Sequence, residues 1–120
     1  KLKVLGVTVL TSLNNKSLKE IGNTKTVDQL VLKQASIVKK SGCDGIVCSA
    51  KEAKKIKKKY KNLLVITPGI RLPGDNTNDQ ARVMTPKDAF KNKVSGVVIG
   101  RSITKGNIKN NIKKLINHLY

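Results

Sequence analysis

Four short apolar runs, each followed by a stretch with helical spacing, constrain this chain more than any other feature. Lys3 to Leu10 (KVLGVTVL) is mostly apolar and rich in β-branched residues, the pattern of a strand buried on both faces. Gly45 to Cys48, Leu63 to Thr67 and Val97 to Ile99 repeat it. Between them Thr26 and Gln29 have the spacing of a capping box. Behind that cap Val27, Leu30, Val31, Gln34, Ala35 and Val38 fall on one helical face, apolar except for Gln34, and Gly42 ends it. Ser49 and Glu52 predict a second capping box, opening a helix with Ala50, Ala53, Ile56 and Tyr60 as its inner stripe. Thr85-Pro86 starts another helix, with Pro at its first position. Asn107 caps the last, whose core face reads Ile108, Ile112, Leu115, Ile116 and Leu119. Strands alternating with helices pair in parallel, because only a crossover helix returns the chain to the same end of a sheet. Four such units make a small doubly wound α/β sheet or half of an eight-fold barrel, which needs roughly 250 residues. Periodicity leaves both open.

The 120 residues suffice for one domain, residues 1–120, with a modest core. No apolar run approaches the ~20 residues that span a bilayer, and the first residues enter a strand pattern without a signal-peptide layout. Cys43 and Cys48 form no CxxC pair, and His118 is the one histidine, so no zinc site can be assembled. Reduced thiols fit a cytoplasmic protein with no membrane partner.

Charge is lopsided: 25 Lys+Arg stand against 7 Asp+Glu, a formal +18. That raises a basic nucleic-acid-binding module as one reading. Against it, arginines are confined to Arg71, Arg82 and Arg101, aromatics are 2%, and lysines cover every predicted helix. Bases would find almost nothing to stack on, so a solvated Lys-rich surface without specific nucleic-acid binding is the expectation.

In either architecture ligands bind at the carboxyl ends of the strands. Those ends are Thr11-Ser12, Ser49-Ala50, Thr67 to Arg71 and Gly100-Arg101. Arginine beside glycine at two of them offers a planar fork and close backbone approach to an anion, which spells a phosphate site. A helical Ser102-Ile103-Thr104 segment would add its N–H groups. The polar segment from Leu72 to Met84 reads as a flap over this mouth, with Gln80 and Arg82 as its ligand donors.

At these residues the chain resembles orotidine 5′-monophosphate decarboxylase. The resemblance is carried by Val7 to Ser12, by Gly42 to Ala53, by Thr67-Pro68-Gly69-Ile70-Arg71 with Asp79 to Pro86, and by Ile99 to Thr104. In that family these segments look like the fifth to eighth strands of a (β/α)8 barrel. The resemblance therefore implies an α/β fold of four βα units, half of a TIM barrel with parallel strands, from the carboxyl-terminal half of the enzyme. It implies that Thr11 lies near the pyrimidine ring, that Gln80, Arg101 and the Gly100 backbone N–H hold the 5′-phosphate, and that Arg71 lines the same pocket. It implies a lyase of pyrimidine biosynthesis that converts orotidine 5′-phosphate (OMP) to UMP and CO2 without metal or organic cofactor. Expected partners are OMP or UMP as ligand, and a second copy in a homodimer or a separate amino-terminal half-barrel.

The family's catalytic Asp-x-Lys-x-x-Asp motif is absent. The nearest imitation, Asn23 to Asp28 around Lys25, lacks the leading aspartate and straddles a helix cap instead of a strand end. Ser102 stands where the family usually has Pro, and Lys93 where Gly usually precedes the last strand. Two readings follow: a piece of a decarboxylase active only when complemented, or an inactive remnant with weak phosphate or nucleotide binding.

Overall fold

The computed structural model describes residues 1–76 and 80–120. Four strands form one sheet: β1 (Leu5–Val7), β2 (Gly45–Val47), β3 (Leu64–Thr67) and β4 (Gly96–Val97). All neighbours are parallel, and spatial order equals chain order, β1-β2-β3-β4. A doubly wound sheet reverses its strand order at a switch point. Sequential order instead curls the sheet one way, with helices outside, as in an open half of a (β/α)8 barrel.

The outer layer comprises α1 (Asn15–Glu20), α2 (Val27–Lys40), α3 (Ala50–Lys59), α4 (Pro86–Lys91), α5 (Arg101–Thr104) and α6 (Ile108–Leu119). Thr26 and Gln29 close the reciprocal capping box predicted for α2. Its Val27, Val31, Ala35 and Val38 point inward as the spacing requires. Gly6 allows this packing, since a Cβ there would lie 2.2 Å from a Val38 methyl. Ile46 and Val65, register partners in adjacent strands, are fully buried against this layer, together with Ile56 and Ala53 of α3. The lysines Lys54, Lys55, Lys58 and Lys59 of α3 lie in solvent.

Three expectations need correction. β1 is shorter than Lys3–Leu10 and not buried on both faces: Val7 is 64% exposed, and Leu5 and Val4 are also open. Leu5 and Val7 alternate with Gly6 and so point to the concave side, where no layer covers them. The expected core face of α6 is likewise bare, with Ile108, Ile112 and Ile116 exposed and only Leu115 and Leu119 partly covered. Both surfaces belong to elements at the ends of the half-barrel, where a further βα unit would have to pack. Finally, α3 lacks its capping box. Ser49 accepts from the Lys51 N–H and not from that of Glu52, and the Glu52 carboxylate is paired with Arg82.

Candidate functional site

Residues just past the strand ends line two cavities. The first, about 240 Å³, lies beyond β3 and β4 and is lined by Arg71, Gly74, Asp75, Asn76, Arg101, Ser102, Lys105 and Asn111. Three cations against one carboxylate give it a positive lining. Arg71 is buried, its Nη1 donates to the Ile70 carbonyl at 2.9 Å, and its Nε makes no hydrogen bond. Arg101 is exposed at the start of α5. That helix is a single turn, so the attraction for an anion rests on the guanidinium groups and not on a helix dipole. Gly100 is its N-cap residue. Ser102 Oγ accepts from the Leu72 N–H at 3.4 Å, and Asn111 Nδ2 donates to the Ile103 and Lys105 carbonyls, fixing α5 between the β3 loop and α6.

The second cavity, about 250 Å³, is lined by Thr11, Ser12, Gln80 and Pro68 above and by Val7, Val47 and Cys48 below. It opens toward the bare concave face. Thr11 Oγ1 donates to Gln80 Oε1. Burial, with Glu52 nearby, pushes the Cys48 thiol up to about 12, which leaves it protonated and inert at neutral pH. Arg71 and Arg101 are thus brought together, whereas Gln80 stands with Thr11 at the adjoining strand ends.

The segment that carries Gln80 is firmly tied. Ala81 and Arg82 N–H groups both donate to the Thr11 carbonyl at 3.1 Å. Met84 N–H donates to Gly69, and Arg71 N–H to Met84, also at 3.1 Å. Gly69 is required here: its φ is +71°, and a Cβ would meet the Arg82 carbonyl oxygen at 2.8 Å. The centre of the expected flap, residues 77–79 with Asp79, lies outside the described residues.

Arg82 corrects the expectation that it donates to a ligand. It is 6% exposed, with Nη1 on Glu52 Oε1 at 2.5 Å and Nη2 on the Val9 and Leu10 carbonyls at 3.0 and 3.2 Å. Both Nη groups are thus directed at protein acceptors, and the Nε, buried without a hydrogen bond, does not open on the mouth. Burial raises the Glu52 carboxyl above its usual range, and the Arg82 charge opposes that rise. Sequence reading missed Glu52 because its spacing from Ser49 explained it as a cap. The available signal was its position as the one acidic residue in a helix otherwise filled with lysines. Lys25 lines neither site cavity but a separate one with Ile21, Gly22 and Lys33. Among the described residues no group of three or more His, Cys, Asp or Glu could hold a metal ion, and no helix is long and apolar enough to cross a membrane.

The model of the Orotidine 5'-phosphate decarboxylase / HUMPS family matches residues 1–114. The chain belongs to this family. Among curated members it is 47% identical over 116 residues to an orotidine 5'-phosphate decarboxylase of Buchnera aphidicola subsp. Acyrthosiphon pisum (strain Tuc7), covering 93% of this chain and 47% of that one. It is 46% identical over 102 residues to that of Coxiella burnetii (strain RSA 331 / Henzerling II), covering 84% and 43%. A crystal structure of orotidine 5'-phosphate decarboxylase from Lactobacillus acidophilus superposes with a TM-score of 0.75 at 33% identity, over 98% of this chain and 49% of that chain. The chain therefore spans just under half the length of these decarboxylase relatives, and its four βα units are half of their barrel.

Proposed function

We propose that the chain is the carboxyl-terminal half, βα units five to eight, of a cytoplasmic orotidine 5′-phosphate decarboxylase. It forms one domain over residues 1–120, grips the nucleotide's phosphate, and acts only with a catalytic lysine supplied by an amino-terminal half-barrel. The observation that carries this reading is the pairing of Arg71 and Arg101 on one positively lined cavity at the strand ends. In this reading those guanidiniums and the Gly100 N–H hold the 5′-phosphate. Gln80, whose Oε1 accepts from Thr11, turns an amide donor toward the same nucleotide, and Thr11 stands beside the pyrimidine ring.

Binding of phosphate and ribose is remote from the bond that breaks, so its energy serves the transition state. The C6–carboxylate bond cleaves, its electron pair stays on C6, CO2 leaves, and a lysine ammonium protonates C6 to give UMP. The lysine and its flanking aspartates come from an amino-terminal half-barrel. Its strands would extend the sheet past β1 and β4, and its helices would cover Ile108, Ile112 and Ile116. A second copy is the competing occupant, but a formal +18 on each chain opposes self-association more than association with a less basic partner.

The remnant reading, weak phosphate or nucleotide binding without activity, is favoured by one observation: Lys93 adopts φ +68°, a conformation that costs any residue other than Gly. Titration of the chain with UMP and with inorganic phosphate, followed by amide NMR, tests the grip. Shifts confined to Arg71, Gln80, Gly100 and Arg101, lost in Arg101→Ala, support it. Shifts spread over the lysine-rich helices, displaced by salt and not by UMP, overturn it in favour of polyanion binding.

A further inference from the structure

We infer that Arg82, held by Glu52, is the positioning residue that sets Gln80 against Thr11. The inference rests on the reading above of Thr11 and Gln80 as nucleotide-side residues, and it adds the device that brings them together. These two side chains are far apart in sequence and belong to different loops, one after β1 and one after β3. Nothing in either loop alone fixes their mutual placement. Arg82 joins them at three points: Nη1 is anchored on α3 through Glu52, Nη2 caps the Val9 and Leu10 carbonyls just before Thr11, and its own N–H binds the Thr11 carbonyl. One residue, Ala81, separates Arg82 from Gln80, so the bridge sets where Gln80 leaves the loop. Glu52 is 2% exposed, and Arg82 is the cation that its Oε1 meets there. Removing one partner of a buried charge pair leaves the other uncompensated, so changes at either residue should loosen this placement.

The test uses the 120-residue chain in three forms: Glu52→Gln, Arg82→Met and wild type. The first readout needs no ligand: the nuclear Overhauser contact between the Thr11 methyl and the Gln80 side-chain amide. The proposal expects this contact to vanish in Arg82→Met and weaken in Glu52→Gln while the Ile46 and Val65 methyl shifts of the core persist. Retention of the contact in both variants overturns it. Arg82→Met that fails to fold shifts the decision to Glu52→Gln, which keeps an amide oxygen for Arg82. The second readout is UMP affinity in a double-mutant cycle with Gln80→Ala. Positioning through Gln80 predicts that Glu52→Gln weakens UMP about tenfold in wild type and not further in Gln80→Ala. A merely structural role gives equal losses in both backgrounds and contradicts the inference. If wild type does not bind UMP at all, the functional reading fails while the Thr11–Gln80 contact still decides the positioning.

Discussion

Arg71 and Arg101 follow different strands, yet they line one cavity, one buried at its wall and the other exposed at its rim. The difference in burial separates the effects of removing them. Arg101→Ala is expected to abolish phosphate and UMP binding with thermal stability changed by no more than about 0.5 kcal/mol, as for a surface site. Arg71→Ala should weaken binding and also cost about 1–3 kcal/mol, because it empties a buried position and removes the donor to the Ile70 carbonyl. Calorimetric titration beside chemical denaturation distinguishes the two.

Lys93 sits at φ +68° between α4 and β4. Lys93→Gly relieves that conformation and should stabilise the chain by about 1 kcal/mol, less the entropy gained by the unfolded glycine. An unchanged or lower denaturation midpoint would show that the strain is not real in solution.

Ile112 and Ile116 are apolar yet 43% and 50% exposed. Replacing both with Lys should leave the isolated chain's stability within about 0.5 kcal/mol of wild type at each site. The same change should prevent association with an amino-terminal half-barrel, read by sedimentation of the mixture. Replacing Ile56, wholly buried on the inner face of α3, with Ala should instead cost about 2–5 kcal/mol in the chain alone.

Asp44 supplies a pH-dependent tie at the sheet edge. Its carboxylate accepts from the Val4 N–H at 2.9 Å and from Lys3 Nζ at 3.0 Å, and these bonds hold its pKa below the ordinary 3.8. A carboxyl lowered by folding contributes stability above its unfolded pKa and loses it as pH falls through the folded one. The Val4 amide resonance should therefore stay in place down to about pH 4 and move only below it, in step with the Asp44 carboxyl titration. A Val4 amide that does not follow the Asp44 titration would show that the tie is absent.

Much of the fold was legible because its signals are local. The Thr26–Gln29 capping box, the Val27 to Val38 stripe and Thr85-Pro86 each announce a helix within a few residues, and each formed. The misread positions depend on what lies beyond the chain or across the fold. Leu5, Val7 and Ile112 are apolar as core residues are, and periodicity cannot say that the surface they face has no cover here. Glu52 and Arg82 meet across 30 residues of sequence, so the carboxylate was credited to its nearest cap and the guanidinium to a ligand. The cluster at the strand ends was legible as a set of residue types. The division between an arginine cavity and a Thr11–Gln80 cavity required coordinates.

The most direct test of the account is to mix this chain with the amino-terminal half of one of its curated relatives and follow OMP absorbance. Decarboxylation is expected from the mixture, none from either half alone, and a large loss with Arg101→Ala. A stable one-to-one complex that releases no CO2 from OMP would contradict it.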